Sequence, residues 1–183
     1  MRVHFKKSVL LNLLAVFVLN SRAAAQFDPQ VGTPETSKES VESNSNKRFV
    51  VRVIDGDTIV VSPNEKVRLI GVDTPETVHP NQAVACFGKE ANQFTRHAVE
   101  GKTISLVMDV VNAKRRHKDR YGRTLAYAYL PDGKMLNAEL IRQGYAYAYI
   151  RFSFGYLLEF KELERQARTQ SVGLWARCSL KEP

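Results

Sequence analysis

Cysteine, histidine and tryptophan are scarce in this chain of 183 residues, which contains two, four and one of them. Two cysteine sulfurs alone are too few for a structural zinc site, which needs four ligands. The sequence shows no internal repeat, which excludes solenoid and propeller architectures. Beyond residue 25 it also lacks any apolar run close to the roughly 20 residues that a membrane-spanning helix requires. The body of the chain is therefore expected to be soluble.

The first 25 residues have the layout of a targeting segment. Arg2, Lys6 and Lys7 precede an apolar run from Val9 to Leu19, and three small residues, Ala23 to Ala25, follow. This order is typical of a cleavable secretory signal. A membrane anchor is the alternative, but eleven mostly apolar residues are too few for a helix that must span about 20. We therefore predict a signal peptide over residues 1–25, cleavage after its last alanine, and a secreted or periplasmic protein.

A polar segment separates this signal from the rest of the chain. Residues 26–47 are rich in Ser, Thr, Glu, Asn and Pro and hold few large apolar side chains, so we predict a disordered linker there. Residues 48–183 are predicted to form one domain. From Lys47 onward the chain has 22 basic and 15 acidic residues, a net charge of +7. This charge favours attraction to polyanions but does not identify one.

The two cysteines, Cys86 and Cys178, are predicted to form a disulfide. An exported protein works in an oxidising compartment, where a lone pair of cysteines forms a bridge more often than two free thiols. A pair of buried thiols is the alternative. A bridge over 92 positions would stabilise the fold by roughly 4 kcal/mol in the chain-entropy model.

Short runs of β-branched residues dominate the predicted domain. Five segments have strand composition and are separated by turn residues: 49–54, 58–61, 67–72, 102–111 and 125–130. Apolar residues at helical spacing predict helices that start near Phe87, Met135 and Tyr156. The first three strands follow one another as a meander. Together these elements predict an α+β domain built around a small barrel.

Acidic residues concentrate where predicted strands meet loops. Asp57 begins the second strand, and Asp73 and Glu76 lie just beyond the third, so an antiparallel arrangement would bring the three carboxylates together. Carboxylates that repel one another need a cation, and oxygen donors without histidine or cysteine nearby favour Ca²⁺ or Mg²⁺ over zinc. A loose site that also takes carbonyl and water oxygens suits Ca²⁺ better. The alternative is three separate, solvated loop carboxylates.

Two arginines accompany these carboxylates. Arg68 alternates with apolar residues on the third predicted strand, and Arg123 follows Gly122 just before the last one. A planar guanidinium suits a bidentate phosphate contact. Each arginine could instead pair with a nearby carboxylate. Two arginines beside a cation site can offset the charge that develops on a phosphate under attack, so the pattern predicts phosphoryl chemistry.

Three charged motifs carry a family resemblance, and they read Ile-Asp-Gly-Asp-Thr at 54–58, Val-Asp-Thr-Pro-Glu-Thr at 72–77 and Tyr-Gly-Arg at 121–123. Four further motifs follow in order, namely Leu125-Ala126-Tyr127, Asp132-Gly133-Lys134-Met135, Arg142-Gln143-Gly144 and Gly173-Leu174-Trp175. In this order and spacing they resemble the staphylococcal nuclease, or thermonuclease, family over roughly 48–175. The resemblance implies a five-stranded oligonucleotide-binding (OB) barrel with about three α-helices. It also implies a Ca²⁺-dependent endonuclease and exonuclease that acts on DNA and RNA and leaves 3′-phosphate ends.

The resemblance assigns roles to the acidic residues. Asp57 and Asp73 would be carboxylate ligands of the calcium ion, and Thr74 would add its backbone carbonyl. Glu76 would orient or deprotonate the attacking water. The implied cofactor is therefore Ca²⁺.

The resemblance also assigns roles to basic and aromatic residues. Arg68 and Arg123 would hold the scissile phosphate and stabilise the transition state. Tyr121 would lie beside the terminal phosphate of the substrate, next to Arg120, where the family often has lysine. A charged run is interpreted as a rim for the nucleic-acid backbone or, alternatively, as a solvated loop. Its members are Lys114, Arg115, Arg116 and Lys118.

The sequence departs from the family pattern in two places. The family's base-binding tyrosines fall, without gaps, on Ile150 and Phe152, so Tyr149 is the first candidate for base stacking and Phe152 the second. The best-known member lacks both cysteines, so the predicted disulfide rests on the compartment alone. A non-catalytic nucleic-acid-binding barrel is the second interpretation, but the full set of charged site residues favours an enzyme. We expect a monomer.

Overall fold

The computed structural model describes residues 46–77 and 83–178. Within these ranges the chain forms a closed five-stranded barrel, a separate two-stranded sheet and four α-helices. The predicted signal peptide and nearly all of the predicted linker lie outside the described residues. Among the helices that are described, none has both the length and the apolar character needed to cross a membrane.

The elements follow one another in an order that confirms the predicted α+β barrel. The strands are β1 (Lys47–Asp55), β2 (Thr58–Val61), β3 (Glu65–Leu69), β4 (Val72–Asp73), β5 (Thr103–Val107), β6 (Thr124–Tyr129) and β7 (Tyr147–Ala148). The α-helices are α1 (Gly88–Val99), α2 (Leu136–Arg142), α3 (Leu157–Thr169) and α4 (Leu174–Arg177), and a 3₁₀ helix spans Val110–Arg115. The barrel order is β1-β2-β3-β6-β5. Only β3 and β6 pair in parallel within this described barrel. The short α4 was not predicted, because four residues carry no helical periodicity.

Two predicted strands end earlier than their composition suggested. The segment 67–72 breaks after β3, where Gly71 takes a positive φ of 71° and Ile70 donates its backbone N–H to Ala126. The chain then leaves the barrel, and β4 pairs with β7. The segment 102–111 ends as a strand at Val107, because Asp109 accepts a hydrogen bond from the Val111 N–H and caps the 3₁₀ helix.

A buried asparagine fixes α2 against the barrel. Asn137 is fully buried, and its side chain accepts a hydrogen bond from the Ala128 N–H and donates one to the Ile70 carbonyl. A buried amide is costly unless it is paired. The pairing therefore holds α2 at one position, over the point where the chain leaves β3.

The predicted disulfide is confirmed. Cys86 and Cys178 are bonded across 92 positions, with their Cα atoms 5.9 Å apart. The bond joins Cys86, two residues before the start of α1, to Cys178, the residue that follows α4. It therefore closes a loop that contains two of the five barrel strands, β5 and β6, and all four described α-helices.

Gly144, after the end of α2, and Gly173, just before α4, allow these two segments to pack closely against each other. The Leu174 N–H donates to the Gly144 carbonyl at 2.8 Å. A Cβ atom on Gly144 would lie 2.2 Å from the Val172 carbonyl oxygen, and φ at this residue is 71°. Only glycine fits both the contact and the backbone conformation.

We expect Gly144→Ala to lower the free energy of unfolding by about 2 kcal/mol more than Gly101→Ala, because it adds a steric clash to the cost of a left-handed backbone. Gly101 is the matched control: its φ is 74°, and nothing described lies within 4 Å of the added Cβ. Urea unfolding of the two variants measures the difference. Equal losses would show that the close packing against the residues before α4 contributes nothing to stability.

Candidate functional site

A cleft of about 670 Å³ opens beside β3 and is bordered by the 3₁₀ helix, the turn before β6 and the segment after β7. Eight of the residues singled out from the sequence line it, namely Arg68, Asp73, Arg115, Arg120, Tyr121, Arg123, Tyr149 and Phe152. The fold therefore brings together residues that are spread over more than 80 positions of the sequence. Asp57 contacts the cleft residue Arg68 and accepts a hydrogen bond from the Thr74 N–H, while Asp57, Thr74 and Glu76 do not line the cleft themselves.

Arg68 is the central cation of the cleft. On β3 it faces Thr58 of β2 on one side and Leu125 of β6 on the other. Its Nη1 lies 2.8 Å from a carboxylate oxygen of Asp57 and donates to the Val72 carbonyl, and its Nη2 lies 3.2 Å from Asp73. These contacts use at most three of the five N–H donors of a guanidinium. The others can reach an anion in the cleft.

Asp57 is the buried anion of the same network. It is 7% exposed, and its two oxygens accept hydrogen bonds from the Thr58 hydroxyl and the Thr74 N–H. The turn that carries it packs tightly against Thr74, because a Cβ on Gly56 would come within 2.7 Å of that side chain. The Asp-Gly-Asp motif thus needs its glycine for close packing against Thr74.

The oxygen atoms of Asp57, Asp73 and Thr74 form a set of donors that fits a hard cation. Asp57 and Asp73 contact the same guanidinium, and the hydroxyl of Thr74 is buried without a hydrogen-bond partner among the described residues. Over the same ranges, no three His, Cys, Asp or Glu side chains are grouped to hold a metal. An ion here would take two carboxylates and complete its shell with carbonyl and water oxygens, which is how proteins bind Ca²⁺.

The two carboxylates also affect each other. Partial desolvation raises the pKa of Asp73 above its ordinary value, the charge of Arg68 opposes this shift, and the charge of Asp57 adds to it. About half of the Asp73 side chain is still exposed. Loss of water and repulsion between anions both favour a bound cation at this position.

Arg123 lines the cleft from the turn just before β6. Its Nε donates to Asp119 at 2.7 Å, and its Nη1 lies 3.4 Å from the Thr58 hydroxyl, which in turn bonds to Asp57. Asp119 also accepts hydrogen bonds from the backbone N–H groups of Tyr121 and Arg123. One carboxylate therefore fixes both the turn and the guanidinium that it presents. The alternative interpretation, in which each arginine pairs with a nearby carboxylate, describes these contacts correctly. The contacts use only some of the five N–H donors of each guanidinium, and both arginines line the cleft.

Glu76 lies apart from this network. It is exposed and does not line the cleft, so the three predicted carboxylates do not form one cluster. Glu76 instead shares a hydrogen bond with the Asp55 carboxyl, which also accepts from the Thr77 hydroxyl at 2.7 Å and from the Gly56 N–H. Burial raises the pKa of Asp55, and Glu76 and Asp57 add to this rise.

Sequence reasoning missed Asp55 as a site residue. An Asp-Gly pair is an ordinary turn signal in a sequence, and the Asp55 side chain is 7% exposed at the end of β1. Its partners lie about 20 positions away in sequence. No local pattern could have separated it from an ordinary turn aspartate.

Aromatic side chains on the cleft walls are paired with arginines. The Tyr121 ring, 67% exposed, lies beneath the guanidinium groups of Arg120 and Arg123 at 4.7 and 5.3 Å. Phe152 packs 5.9 Å from Tyr149, so both candidates for base stacking share one wall.

The predicted basic rim divides between two places. Arg115 lines the cleft, with its guanidinium 5.7 Å from the Phe152 ring. Lys118 pairs with Glu65 on the flank of the barrel. Only part of the charged run is therefore placed to meet a ligand in the cleft.

Comparison with known proteins finds a matching family model and several similar proteins. Residues 66–177 match the protein-family model described as staphylococcal nuclease homologue. The chain is 37% identical over 175 residues to a thermonuclease of Staphylococcus hyicus, covering 93% of this chain and 99% of that protein. It is 39% identical to a thermonuclease of Staphylococcus intermedius, covering 76% and 82% of the two chains. It is also 34% identical to the endonuclease YncB of Bacillus subtilis, covering 83% and 71%.

We expect Asp119→Asn to destabilise the protein by about 1–3 kcal/mol at neutral pH, because it weakens hydrogen bonds to a charged group. Burial alone would raise the pKa of Asp119, but the hydrogen bonds from Arg123 and Tyr121 hold it below the ordinary value of 3.8. The contribution is complete above pH 3.8 and is lost as pH falls through the lower folded-state pKa. Urea unfolding at several pH values should therefore show the difference between wild type and variant shrinking in acid. A difference independent of pH would contradict this account.

Proposed function

The chain belongs to the staphylococcal nuclease family, and from that premise we propose that it is an exported nuclease that hydrolyses the phosphodiester bonds of DNA and RNA with Ca²⁺ as its cofactor. The observation that carries the proposal is the chain of contacts from Arg123 through Thr58 and Asp57 to Arg68. It holds two guanidinium groups on one cleft with donors to spare. Arginines that only formed structural ion pairs would not need to line an open cleft.

The arginines bind and stabilise the phosphate. Arg68 and Arg123 donate to its non-bridging oxygens and offset the charge that grows on them as the phosphorus becomes five-coordinate. Both guanidinium groups are held by carboxylates, Asp57 and Asp119. Little conformational freedom is therefore lost when the phosphate binds.

Glu76 acts as the general base for the attacking water. A water oxygen attacks phosphorus, the bond to the 5′ oxygen breaks, and Glu76 accepts a proton from the water. The leaving oxygen takes a proton from solvent, and the products are a 5′-hydroxyl and a 3′-phosphate. The hydrogen bond with Asp55 orients Glu76 in this proposal.

Calcium would be held by Asp57 and Asp73, with the Thr74 carbonyl as a further ligand. When bound, it supplies positive charge next to the phosphate and polarises it. The protein's own contribution is to keep two carboxylates close together despite their repulsion, through Arg68 and the Thr74 N–H.

The other cleft residues bind the rest of the substrate. Arg120 and Tyr121 form an exposed pair next to Arg123, suited to a terminal phosphate. Tyr149 and Phe152 offer aromatic faces to a base, and stacking of this kind tolerates any sequence. DNA and RNA are therefore both substrates in this proposal, and the working unit is a monomer.

We expect cleavage of DNA only when Ca²⁺ is present, and a loss of about 10²–10³-fold in kcat for Arg123→Ala, because one donor to the transition state is removed. Glu76→Gln keeps the shape of the side chain but cannot accept the water's proton, so a comparable loss is expected. Digestion of a DNA oligonucleotide, with added Ca²⁺ or with a chelator, measures both effects.

The matched control is Arg165→Ala, which removes an exposed arginine that pairs with Glu162 on α3 and should leave activity unchanged. Binding of DNA without cleavage at any Ca²⁺ concentration would favour the alternative, a non-catalytic nucleic-acid-binding barrel. Full activity of Arg123→Ala would remove the phosphate-binding role from this cleft.

We expect the mature protein to begin at Gln26, because signal cleavage is predicted after Ala25. N-terminal sequencing of protein recovered from the medium or the periplasm of an expressing bacterium measures this. Retention of Met1 on protein that stays in the cytoplasm would overturn the export proposal without affecting the nuclease proposal.

A further inference from the structure

We propose that the Cys86–Cys178 disulfide positions Glu76, so that reduction of this bond slows turnover while substrate binding stays intact. The proposal rests on the proposed role of Glu76 in the reaction. It concerns a cross-link that the family resemblance does not supply and that the cleft does not contain.

The segment that carries Glu76 is held on two sides. On the barrel side, the Thr77 hydroxyl donates to Asp55 at 2.7 Å. On the other side, the Ala85 N–H donates to the Glu76 carbonyl at 2.9 Å. The start of α1 packs against the same segment, because a Cβ on Gly88 would lie about 3 Å from it. Glu76 is thus connected to Cys86 through its immediate neighbours.

Within the described part of the chain, residues 83–87, around Cys86, have few contacts that hold them in place. Ala83 and Val84 are exposed, and Phe87 has a positive φ of 66°, a conformation that costs a non-glycine residue about 1–2 kcal/mol. Stacking of Phe87 on Tyr145, with ring centroids 5.5 Å apart, opposes this cost. Segments with few buried contacts open at low free energy. This segment therefore depends on a further tether.

The Cys178 side is firmly anchored. Leu174 is fully buried, and its N–H bonds to the Gly144 carbonyl. Trp175 packs between the Arg168 guanidinium at 4.1 Å and the Tyr147 ring at 5.2 Å. The disulfide therefore attaches a weakly held segment to a strongly held one.

Phosphate binding does not depend on this tether. Arg68 lies on a barrel strand, and Arg123 is held by Asp119. Among the described residues that line the cleft, none belongs to 83–87 or 174–178. Loss of the disulfide should therefore affect the position of Glu76, and hence kcat, without affecting KM.

The redox step is a simple exchange. A dithiol transfers two electrons and two protons to the Cys86–Cys178 bond, which leaves two cysteine thiols and one oxidised dithiol. Cys86 is exposed, so a reductant can reach it. In a reducing compartment the nuclease would stay slow, and it would reach full activity only after oxidation.

The experiment compares the oxidised protein, the protein treated with a dithiol, and Cys86→Ala/Cys178→Ala, at a temperature where circular dichroism shows all three folded. With Ca²⁺ and a single-stranded DNA oligonucleotide, we expect kcat to fall by about ten- to a hundredfold in the last two, the effect of a small misplacement, with KM unchanged. The dithiol should have no effect on the double variant. Hydrogen exchange of the Ala85 amide should become at least about tenfold faster when the bond is absent.

Leu163→Ala is the control for lost stability, because it opens a cavity in the core beneath α3 and should keep the kcat of the folded protein. Equal kcat with and without the disulfide would overturn the proposal, as would a rise in KM alone or a similar fall in Leu163→Ala. If the oxidised protein does not cleave DNA, the proposed function fails. The exchange rate of the Ala85 amide then decides the positioning claim by itself, and an unchanged rate overturns it.

Discussion

The burial of Asp57 between cationic and hydroxyl partners is the interaction on which the site depends. A buried carboxylate is costly unless it is paired and hydrogen-bonded, and this one is paired with Arg68 and bonded to Thr58 and the Thr74 N–H. These partners meet only in the observed register, in which Thr58 faces Arg68 across β2 and β3. A slip of one residue would turn Arg68 toward the interior. The register of the barrel and the charge pattern of the site therefore support each other.

The local patterns predicted the barrel because each barrel strand carries its own signal. β2 was predicted with its observed limits, and the helix ends near Gly101 and Gly144 follow from glycine placement. The break after Leu69 could not be predicted, because Ile70 and Val72 are as strand-like as their neighbours. Their separation depends on the pairing of β4 with β7, some 75 positions later, and on the docking of Asn137 against the Ile70 carbonyl. Long-range contacts overrode local propensity here.

The site divides in the same way into a part that the sequence shows and a part that it does not. Arg68, Asp73 and Arg123 stand out because charged residues interrupt or end apolar strands, and all three line the cleft. The separation of Glu76 from Asp73 was not visible, since only three positions separate them. After Asp73, the backbone of Thr74 turns toward Asp57, while the side chain of Thr77 turns toward Asp55. Two neighbouring aspartates, two residues apart, thus hold two different parts of the site.

The two parts of the site differ in how firmly the fold holds them. The groups proposed to bind phosphate are firmly held, because Arg68 lies on a barrel strand and Arg123 is bonded to Asp119. The group proposed to act on water stands on a segment whose supports include one hydroxyl bond, one backbone bond and the packing of a helix start. Such a segment can open while the rest stays closed. A covalent bond at its far end changes that opening equilibrium directly. The Cys86–Cys178 bond is placed where a cross-link can affect the proposed chemistry without altering the surface that meets the substrate.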